Sequence, residues 1–189
     1  MISAFRGFVG VCAALIFGGT AMAADQENTL YVDVPFGRVV IAMRPDLAPN
    51  HVAQIKTLAR RGFYDGVPFH RVIDGFMAQT GDPTGTGTGG SGTKVKAEFS
   101  AEKHVRGIVS MARSSDPNSA DSQFFFVFAP APFLDGQYTI WGQVESGMEF
   151  IDKVKKGDPG RNGSVANPDK IVKMQVAADA DKAGAAKAK

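Results

Sequence analysis

The run SQFFFVF at residues 122–128 constrains the fold most, because apolar side chains occupy both of its faces. Alternate side chains of an extended strand point to opposite sides, so Phe124 and Phe126 share one face while Phe125 and Val127 share the other. Such a strand is either buried on both sides or has one side that lines a pocket. Burial in a core is the favoured interpretation of this run on its own, because aromatic side chains concentrate in protein interiors.

The chain contains further short segments of β-forming residues separated by turn residues. They lie at 29–34, 38–43, 69–80, 95–99, 107–112, 138–144 and 170–176. The first two are joined by Pro-Phe-Gly, which is typical of a hairpin. Two helices are predicted, one at 46–62, where apolar residues recur with helical spacing after Pro49, and one at 147–156. Seven or eight strands with two isolated helices predict a mainly β fold, a closed antiparallel β-barrel capped at its ends.

The composition is that of a single globular domain with a proper core, since 44% of the 189 residues are hydrophobic and 21% are charged. The net charge is +2, and no basic stripe stands out, which argues against nucleic acid and anionic membrane surfaces as partners. The domain is assigned to residues 29–177, after a polar leader at 24–28. The Ala/Lys-rich tail at 178–189 lacks large apolar residues and is expected to be disordered.

Residues 1–23 have the organisation of a secretory signal peptide. Arg6 provides a positive n-region, residues 8–17 an apolar h-region, and Ala21-Met22-Ala23 a cleavage site of the small-x-small type. The alternative is an uncleaved anchor, but the apolar run is too short to span a bilayer comfortably. Cys12, the single cysteine, is lost with this segment. We therefore expect a protein exported to the periplasm of a Gram-negative bacterium, without disulfides or stable membrane association; a Gram-positive exterior is the alternative.

The stretch FHRVIDGFMAQTGD at 69–82 brings a cation, an amide and apolar side chains together around Gly75. Strand alternation predicts that Phe69, Arg71 and Ile73 share one face. An arginine among apolar residues is costly to bury without a partner, which points to a function for Arg71. The alternative is a surface arginine on a half-exposed strand.

Residues 81–93 are rich in glycine and threonine and contain Gly87-x-Gly89-x-x-Gly92, the spacing of a dinucleotide-binding loop. That motif needs a strand before it and a helix after it, because the helix N-terminus holds the pyrophosphate. Neither flank is predicted here. A flexible surface loop is therefore the favoured interpretation, and nucleotide binding is not expected.

The sequence offers no nucleophile next to a base and no metal-binding spacing. His51, His70 and His104 are isolated from one another, and each is interpreted as a structural or surface histidine. The serines at 110, 114 and 115 lack the glycines of a nucleophile elbow. An enzyme with this sequence is therefore expected to form no covalent intermediate and to need no cofactor.

Several motifs in one order resemble those of cyclophilin-type peptidyl-prolyl isomerases, from about Thr29 to Val176. They are GFYDGVPFHRVI, FHRVIDGFMAQTGD, GIVSMAR, SQFFFVF and FLDG. The resemblance, which is strongest to bacterial exported members, implies an eight-stranded antiparallel barrel with two end helices. It implies an enzyme that catalyses rotation about Xaa-Pro bonds in unfolded or flexible polypeptides and so assists folding. We expect it to act as a monomer.

The resemblance also implies roles for individual residues. Arg71 falls on the family's catalytic arginine, and Gln79 on a polar position that holds the peptide backbone beside it. Substrate contacts are implied for ten further residues: Phe76, Met77, Phe125 and Leu134 around the proline ring, Gln123 and Arg113 along the peptide backbone, Ala112 and Ser114 in the neighbouring groove, and Phe133 and Tyr138 at the groove wall.

The chain departs from the common pattern of the family at four of these or neighbouring positions. Phe133 stands where many eukaryotic members have Trp, which implies weaker binding of cyclosporin. Tyr138 stands where many have His, Arg113 where Asn is frequent, and Thr80 where Gly is frequent. A proline-peptide receptor or chaperone with little turnover is the alternative function, and the retained Arg71 favours the enzyme.

Overall fold

Eight β-strands form one antiparallel, curled sheet in the computed structural model, which describes residues 26–180. They are β1 Thr29–Val34, β2 Gly37–Met43, β3 Arg71–Ile73, β4 Met77–Thr80, β5 Ile108–Met111, β6 Phe124–Val127, β7 Ile140–Ser146 and β8 Lys173–Val176. Hydrogen-bonded neighbours follow the order β3-β4-β6-β5-β7-β2-β1-β8. The mainly β, antiparallel prediction is confirmed. A fully closed barrel stays a prediction, because β3 and β8 are the two edges of this order.

Two α-helices and two 3₁₀ helices lie wholly within residues 26–180, in addition to helical residues at both ends of this range, 26–27 and 177–180. They are α1 Pro49–Arg60, α2 Met148–Ile151 and the 3₁₀ helices Pro132–Leu134 and Pro159–Arg161. Helix α1 confirms the first predicted helix; Pro49 lies in its first turn, and Val52, Ile55 and Leu58 form its buried face. Within residues 26–180, no helix combines the length and apolar character that crossing a membrane requires.

The second predicted helix is much shorter than the sequence indicates. Helix α2 contains four residues, although Ile151 and Val154 of the predicted apolar stripe are both buried. After Ile151 the chain tightens, because the Val154 N–H donates to the Ile151 carbonyl three residues back, 3.2 Å away. Burial of the stripe is therefore achieved by a turn and not by a continuous helix.

The strand predicted at 95–99 is wrong. The structure contains one isolated bridge there, between Val95 and Ala120. Side chains take the place of a neighbouring strand: the Ala97 N–H donates to Asn118 Oδ1 and the Glu98 N–H to Thr139 Oγ1, both at 3.0 Å. These bonds satisfy the backbone without a ladder, which a pattern of β-forming residues cannot reveal.

The core lies on both sides of β6, as the two apolar faces of that strand predict. Phe124 and Phe126 belong to the main core between the sheet and α1, whereas Phe125 and Val127 belong to a second cluster on the opposite face. Phe69 is also in the main core, 6.3 Å from the Phe126 ring centroid, and not on the face of Arg71. Strand alternation does not reach Phe69, because β3 begins two residues later.

The predicted signal peptide lies outside the described residues, and so does the tail from residue 181 onward. Residues 177–180 are helical, and Arg60 Nε donates to Asp179 Oδ2 at 2.8 Å. The first residues after β8 are thus attached to α1.

Candidate active site

Strands β3, β4 and β6 place the central side chains in one row across the sheet. Arg71 on β3 is paired in register with Gln79 on β4, and Gln79 is paired with Phe125 on β6. The turn between β3 and β4 contains Gly75 at a φ of +70°, a conformation that glycine adopts without strain. The short hairpin and the adjacent strand β6 therefore present a cation, an amide and an aromatic ring side by side.

These side chains line a groove with a volume of about 660 Å³. A second, contiguous cavity of about 330 Å³ shares Gln79, Gly87, Ala112 and Arg113 with it. Ten of the twelve residues that the resemblance assigns line the first cavity: Arg71, Phe76, Met77, Gln79, Ala112, Arg113, Phe125, Phe133, Leu134 and Tyr138. The other two, Ser114 and Gln123, line the second. The fold thus brings together residues from four separate parts of the chain.

The apolar part of the groove has a fixed floor and an exposed rim. Met77, Phe125 and Leu134 are almost fully buried in the second hydrophobic cluster. Phe133 is 62% exposed, and its ring lies 5.3 Å from that of Phe76. Tyr138 meets Phe125 edge to face at 6.0 Å. This part of the groove has the apolar surface that a small aliphatic ring requires.

Neutral acceptors hold the guanidinium of Arg71 at the edge of this apolar surface. Its Nε donates to the Asn162 carbonyl at 3.0 Å, its Nη2 to Asn162 Oδ1 at 2.9 Å, and its Nη1 to Gln79 Oε1 at 3.1 Å. Gln79 Nε2 donates in turn to Gln123 Oε1 at 2.9 Å. Burial lowers the pKa of Arg71, which nevertheless stays charged. The arginine is oriented but its charge is not neutralised.

The sequence analysis missed Asn162, although it makes two of the three bonds to Arg71. Asn162 and Gly163 both have positive φ, 52° and 76°. A Cβ at Gly163 would lie 2.5 Å from Ile73 Cγ1, so only glycine lets this turn approach β3 so closely. The Asn-Gly pair indicates a turn in sequence, but nothing local reveals that the turn lies against a strand 91 residues earlier. The groove is also lined by His70, Arg161 and Ser164, none of which the sequence analysis assigned to the site.

The glycine-rich segment 81–93 is a loop, as the sequence predicts, and two carboxylates bind its backbone. Buried Asp82 accepts bonds from the N–H groups of Thr84, Gly87 and Gly89 at 2.7, 2.6 and 3.1 Å. Asp121 accepts from Ser91 and Gly92 in the same way. The loop amides point at these protein carboxylates, so they are not directed at a bound phosphate. The loop instead forms one wall of the groove.

Two of the three histidines, His51 and His104, bond to neighbouring side chains and have structural roles, as predicted. His51 Nδ1 lies 2.7 Å from Glu98 Oε2, and His104 contacts Asp135 through Nδ1 and Ser110 Oγ through Nε2, both at 3.1 Å. The third, His70, lies in the groove wall, and burial lowers its pKa.

Ser110, His104 and Asp135 are linked in the same order as the residues of a hydrolytic triad. The surroundings of Ser110, however, are not those of a catalytic nucleophile. Ser110 is fully buried, and its hydroxyl donates to the Thr139 carbonyl at 2.9 Å. Burial lowers the pKa of His104 despite the opposing effect of Asp135. No substrate carbonyl can reach this serine, so the cluster is a packing element that ties Asp135, next to the groove residue Leu134, to β5.

Comparison with solved structures defines the class of protein. A crystal structure of a cyclophilin from Hirschia baltica matches with a TM-score of 0.72 and 30% identity over 80% of this chain and 74% of that one. A cyclophilin type peptidyl-prolyl cis-trans isomerase from Cryptosporidium parvum, solved in the presence of the dipeptide Ala-Pro, matches with a TM-score of 0.72 and 29% identity, over 78% of this chain and 98% of that one. The fold is that of the cyclophilins.

Comparison of sequences gives the family. The model of the cyclophilin type peptidyl-prolyl cis-trans isomerase family matches residues 29–176. A Brucella suis protein described as a probable peptidyl-prolyl cis-trans isomerase is 56% identical over 172 residues, 85% of this chain and 88% of that protein. A peptidyl-prolyl cis-trans isomerase of Helicobacter pylori is 44% identical over 126 residues, 65% of this chain and 77% of that protein. The chain belongs to this family and is a peptidyl-prolyl cis-trans isomerase.

The carboxylate of Asp82 makes the stability of the protein depend on acidic pH. Burial by itself raises its pKa, but the bonds from Thr84, Gly89 and Gly87 outweigh burial and lower the pKa to about 2. Because the folded pKa is depressed below the unfolded value near 3.9, the stabilisation is fully present above pH 4 and is lost as the pH falls towards 2. We expect Asp82→Asn to lower the free energy of unfolding by about 2 kcal/mol at pH 7.

The measurement is urea unfolding of the wild type and Asp82→Asn between pH 7 and pH 2. The difference between the two proteins is the relevant quantity, because other carboxylates titrate in both. A difference that stays constant over this range would contradict the assigned pKa of Asp82.

Asn162 positions Arg71, and its side chain can be tested without altering the backbone. We expect Asn162→Gly, which tolerates the positive φ, to lower kcat/KM about three- to tenfold, since one partly exposed bond to a charged group is lost. Asn162→Asp keeps an acceptor at this place but adds a negative charge beside the guanidinium, so it should hold Arg71 in place and still lower kcat/KM. The check is kcat/KM together with the hydrogen-exchange rate of the Arg71 Nη2–H groups by NMR, since Nη2 donates to the Asn162 side chain; slow exchange and full activity in Asn162→Gly would show that the side chain is dispensable.

Proposed function

We propose that the groove binds an Xaa-Pro segment with the proline ring against Phe76, Met77 and Phe125, and that Arg71 acts on the prolyl nitrogen. The observation that carries this proposal is a guanidinium whose partners among residues 26–180 are neutral acceptors, at the edge of an apolar cavity. Such a group keeps its charge available to a substrate. The Ala-Pro dipeptide present with the related Cryptosporidium parvum structure supports this class of ligand.

The chemistry of the reaction explains why a cation is needed there. Rotation about the Xaa-Pro bond breaks amide resonance, with a barrier of about 18–20 kcal/mol, and takes tens to hundreds of seconds without a catalyst. As the bond twists, the prolyl nitrogen becomes pyramidal and gains a lone pair. A hydrogen bond from Arg71 to this lone pair forms in the transition state and hardly at all in the planar ground state. Such a differential contact is what accelerates a reaction.

Magnitudes show which contributions raise the rate. Burial of the proline ring contributes about 1.5–3 kcal/mol, but it acts on both states and therefore affects KM more than kcat. A hydrogen bond from a charged donor contributes about 1.5–3 kcal/mol, whereas a ten-thousandfold acceleration requires about 5.5 kcal/mol. We infer that restraint of the flanking peptide backbone supplies the difference. Gln79, Gln123 and the main chain at Arg113 lie along the groove where they can provide it.

We expect Arg71→Ala to lower kcat/KM by at least tenfold while the fold is retained, because the transition-state donor is removed and the neutral partners Gln79 and Asn162 can bond to water. Arg71→Lys keeps the charge but not the fork that bonds to Gln79 and Asn162, so it should recover only part of the rate.

The measurement is cis–trans exchange of an Ala-Pro peptide by NMR, with circular dichroism as the control for folding. Peptide binding without acceleration by the wild-type protein would favour a proline-peptide receptor or chaperone, and near-normal turnover in Arg71→Ala would exclude the proposed role of this residue.

We further propose that the physiological substrates are exported polypeptides whose folding waits on proline isomerisation in the periplasm. The support is the signal-peptide pattern at 1–23 and the absence of cysteine from residues 24–189. In a Gram-negative host, the full chain should appear in the periplasmic fraction with residues 1–23 removed, and a chain that lacks this segment should stay in the cytoplasm. N-terminal sequencing of the fractionated protein decides this, and an uncleaved chain in the membrane fraction would contradict the proposal.

A further inference from the structure

Four of the five described arginines outside the groove are paired with carboxylates, and the fifth, Arg61, lies exposed at the end of α1. In the described part of the chain, four of them form ion pairs with N–O distances between 2.6 and 2.9 Å: Arg38 with Asp33, Arg44 with Asp46, Arg60 with Glu27 and Arg106 with Asp152. The protein thus pairs these surface guanidiniums with neighbouring acids.

The three arginines that line the groove are different. Arg71 bonds to the neutral oxygens of Asn162 and Gln79. Arg113 donates from Nε to the Gln137 carbonyl at 3.0 Å and from Nη1 to the Ser114 carbonyl at 2.8 Å, and it lies 4.5 Å above the Tyr138 ring. Exposed Arg161 forms no ion pair within residues 26–180.

The lining of the two cavities carries an excess of positive charge. Of the described residues, none with a carboxylate lines the first cavity, which Arg71, Arg113 and Arg161 border. The second is bordered by Lys94, Arg113 and one acid, Asp121. Asp121 already accepts from the N–H and hydroxyl of Ser91 at 2.7 and 2.6 Å and from the Gly92 N–H at 3.0 Å. Even with Asp121 counted as an anion, the two cations Lys94 and Arg113 leave the lining of the second cavity with a net positive charge.

We propose that this groove selects Xaa-Pro segments that carry an acidic side chain within a few residues of the proline. The proposal rests on the proposed function and adds the substrate preference of that same groove. Arg161 and Lys94 are the specificity residues, because both are exposed and neither is ion-paired in the described structure. Arg161 borders the first cavity and Lys94 the second, so they sense acidic residues at different distances from the proline.

The size of the charge preference follows from the solvent exposure of Arg161 and Lys94. An ion pair at a solvated surface changes binding by a modest factor, and salt screens it over a Debye length of about 10 Å at 0.1 M. We expect kcat/KM for a peptide with Glu to exceed that for the same peptide with Gln about two- to fivefold at low salt. Lys at the same position should lower kcat/KM by a similar factor. The difference in kcat/KM between the Glu, Gln and Lys peptides should shrink in 0.5 M NaCl, where the Debye length is less than half its value at 0.1 M.

The experiment uses two sets of alanine-based peptides with one proline, in which Glu, Gln or Lys stands two residues before or two residues after it. Exchange rates are measured by NMR with wild type, Arg161→Gln, Lys94→Gln and Lys173→Gln. Lys173 is an exposed residue of β8 that borders neither cavity, so its variant removes the same formal charge elsewhere. We expect the Glu-to-Gln ratio to fall towards one in Arg161→Gln or Lys94→Gln for at least one peptide set, and to stay unchanged in Lys173→Gln.

Equal rates for Glu, Gln and Lys peptides, with the Gln peptide accelerated, would overturn the charge preference and leave the proposed function intact. A preference that persists undiminished in both Arg161→Gln and Lys94→Gln, or that falls as much in Lys173→Gln, would overturn the assignment to these two side chains. Failure of the wild type to accelerate even the Gln peptide would count against the proposed function itself, and this preference would fall with it.

Discussion

The structure around the groove depends on one requirement: the partly buried guanidinium of Arg71 must be oriented while its charge is left unneutralised. A carboxylate partner would hold Arg71 more tightly, but it would also compete with any substrate for its N–H groups. Asn162 and Gln79 instead supply neutral oxygens, which fix the geometry at lower electrostatic cost to the charge. The left-handed turn at 162–163 and the register of β3 with β4 both serve this arrangement.

On the loop side of the groove, two aspartates hold the backbone in place through their negatively charged side chains. Asp82 and Asp121 bind backbone N–H groups of a glycine-rich segment that has no regular secondary structure of its own. The bonds from these N–H groups lower the pKa of buried Asp82, and the oxygens of both carboxylates replace the missing strand or helix partners of the loop. The loop therefore presents a defined wall from which Gly87 and Gly89 carbonyls accept bonds from Gln123 Nε2. Through Gln123 and Gln79 this wall is connected to Arg71.

The apolar and polar parts of the site are built on opposite requirements. Met77 and Phe125 are immobilised by the second hydrophobic cluster, so this apolar floor would lose little entropy on binding an apolar ring. The charged rim stays exposed, where each ion pair with a ligand is weak. This division fits a catalyst that must release a product that differs from its substrate by a single rotation.

Much of the fold follows from local pattern. The hairpin of β1 and β2, the buried stripe of α1 and the two apolar faces of β6 are visible in the sequence, because side-chain periodicity alone determines which faces can be buried. The motif at 69–82 likewise indicates Arg71 and its apolar neighbours through residue type and spacing. What only the tertiary structure decided are arrangements of segments far apart in the chain: Asn162 against Arg71, Asn118 and Thr139 in place of a strand partner at 95–99, and the gathering of cations around the groove. These arrangements form because the sheet brings together turns that are far apart in the chain. Local sequence propensity contains no information about which distant segments will meet.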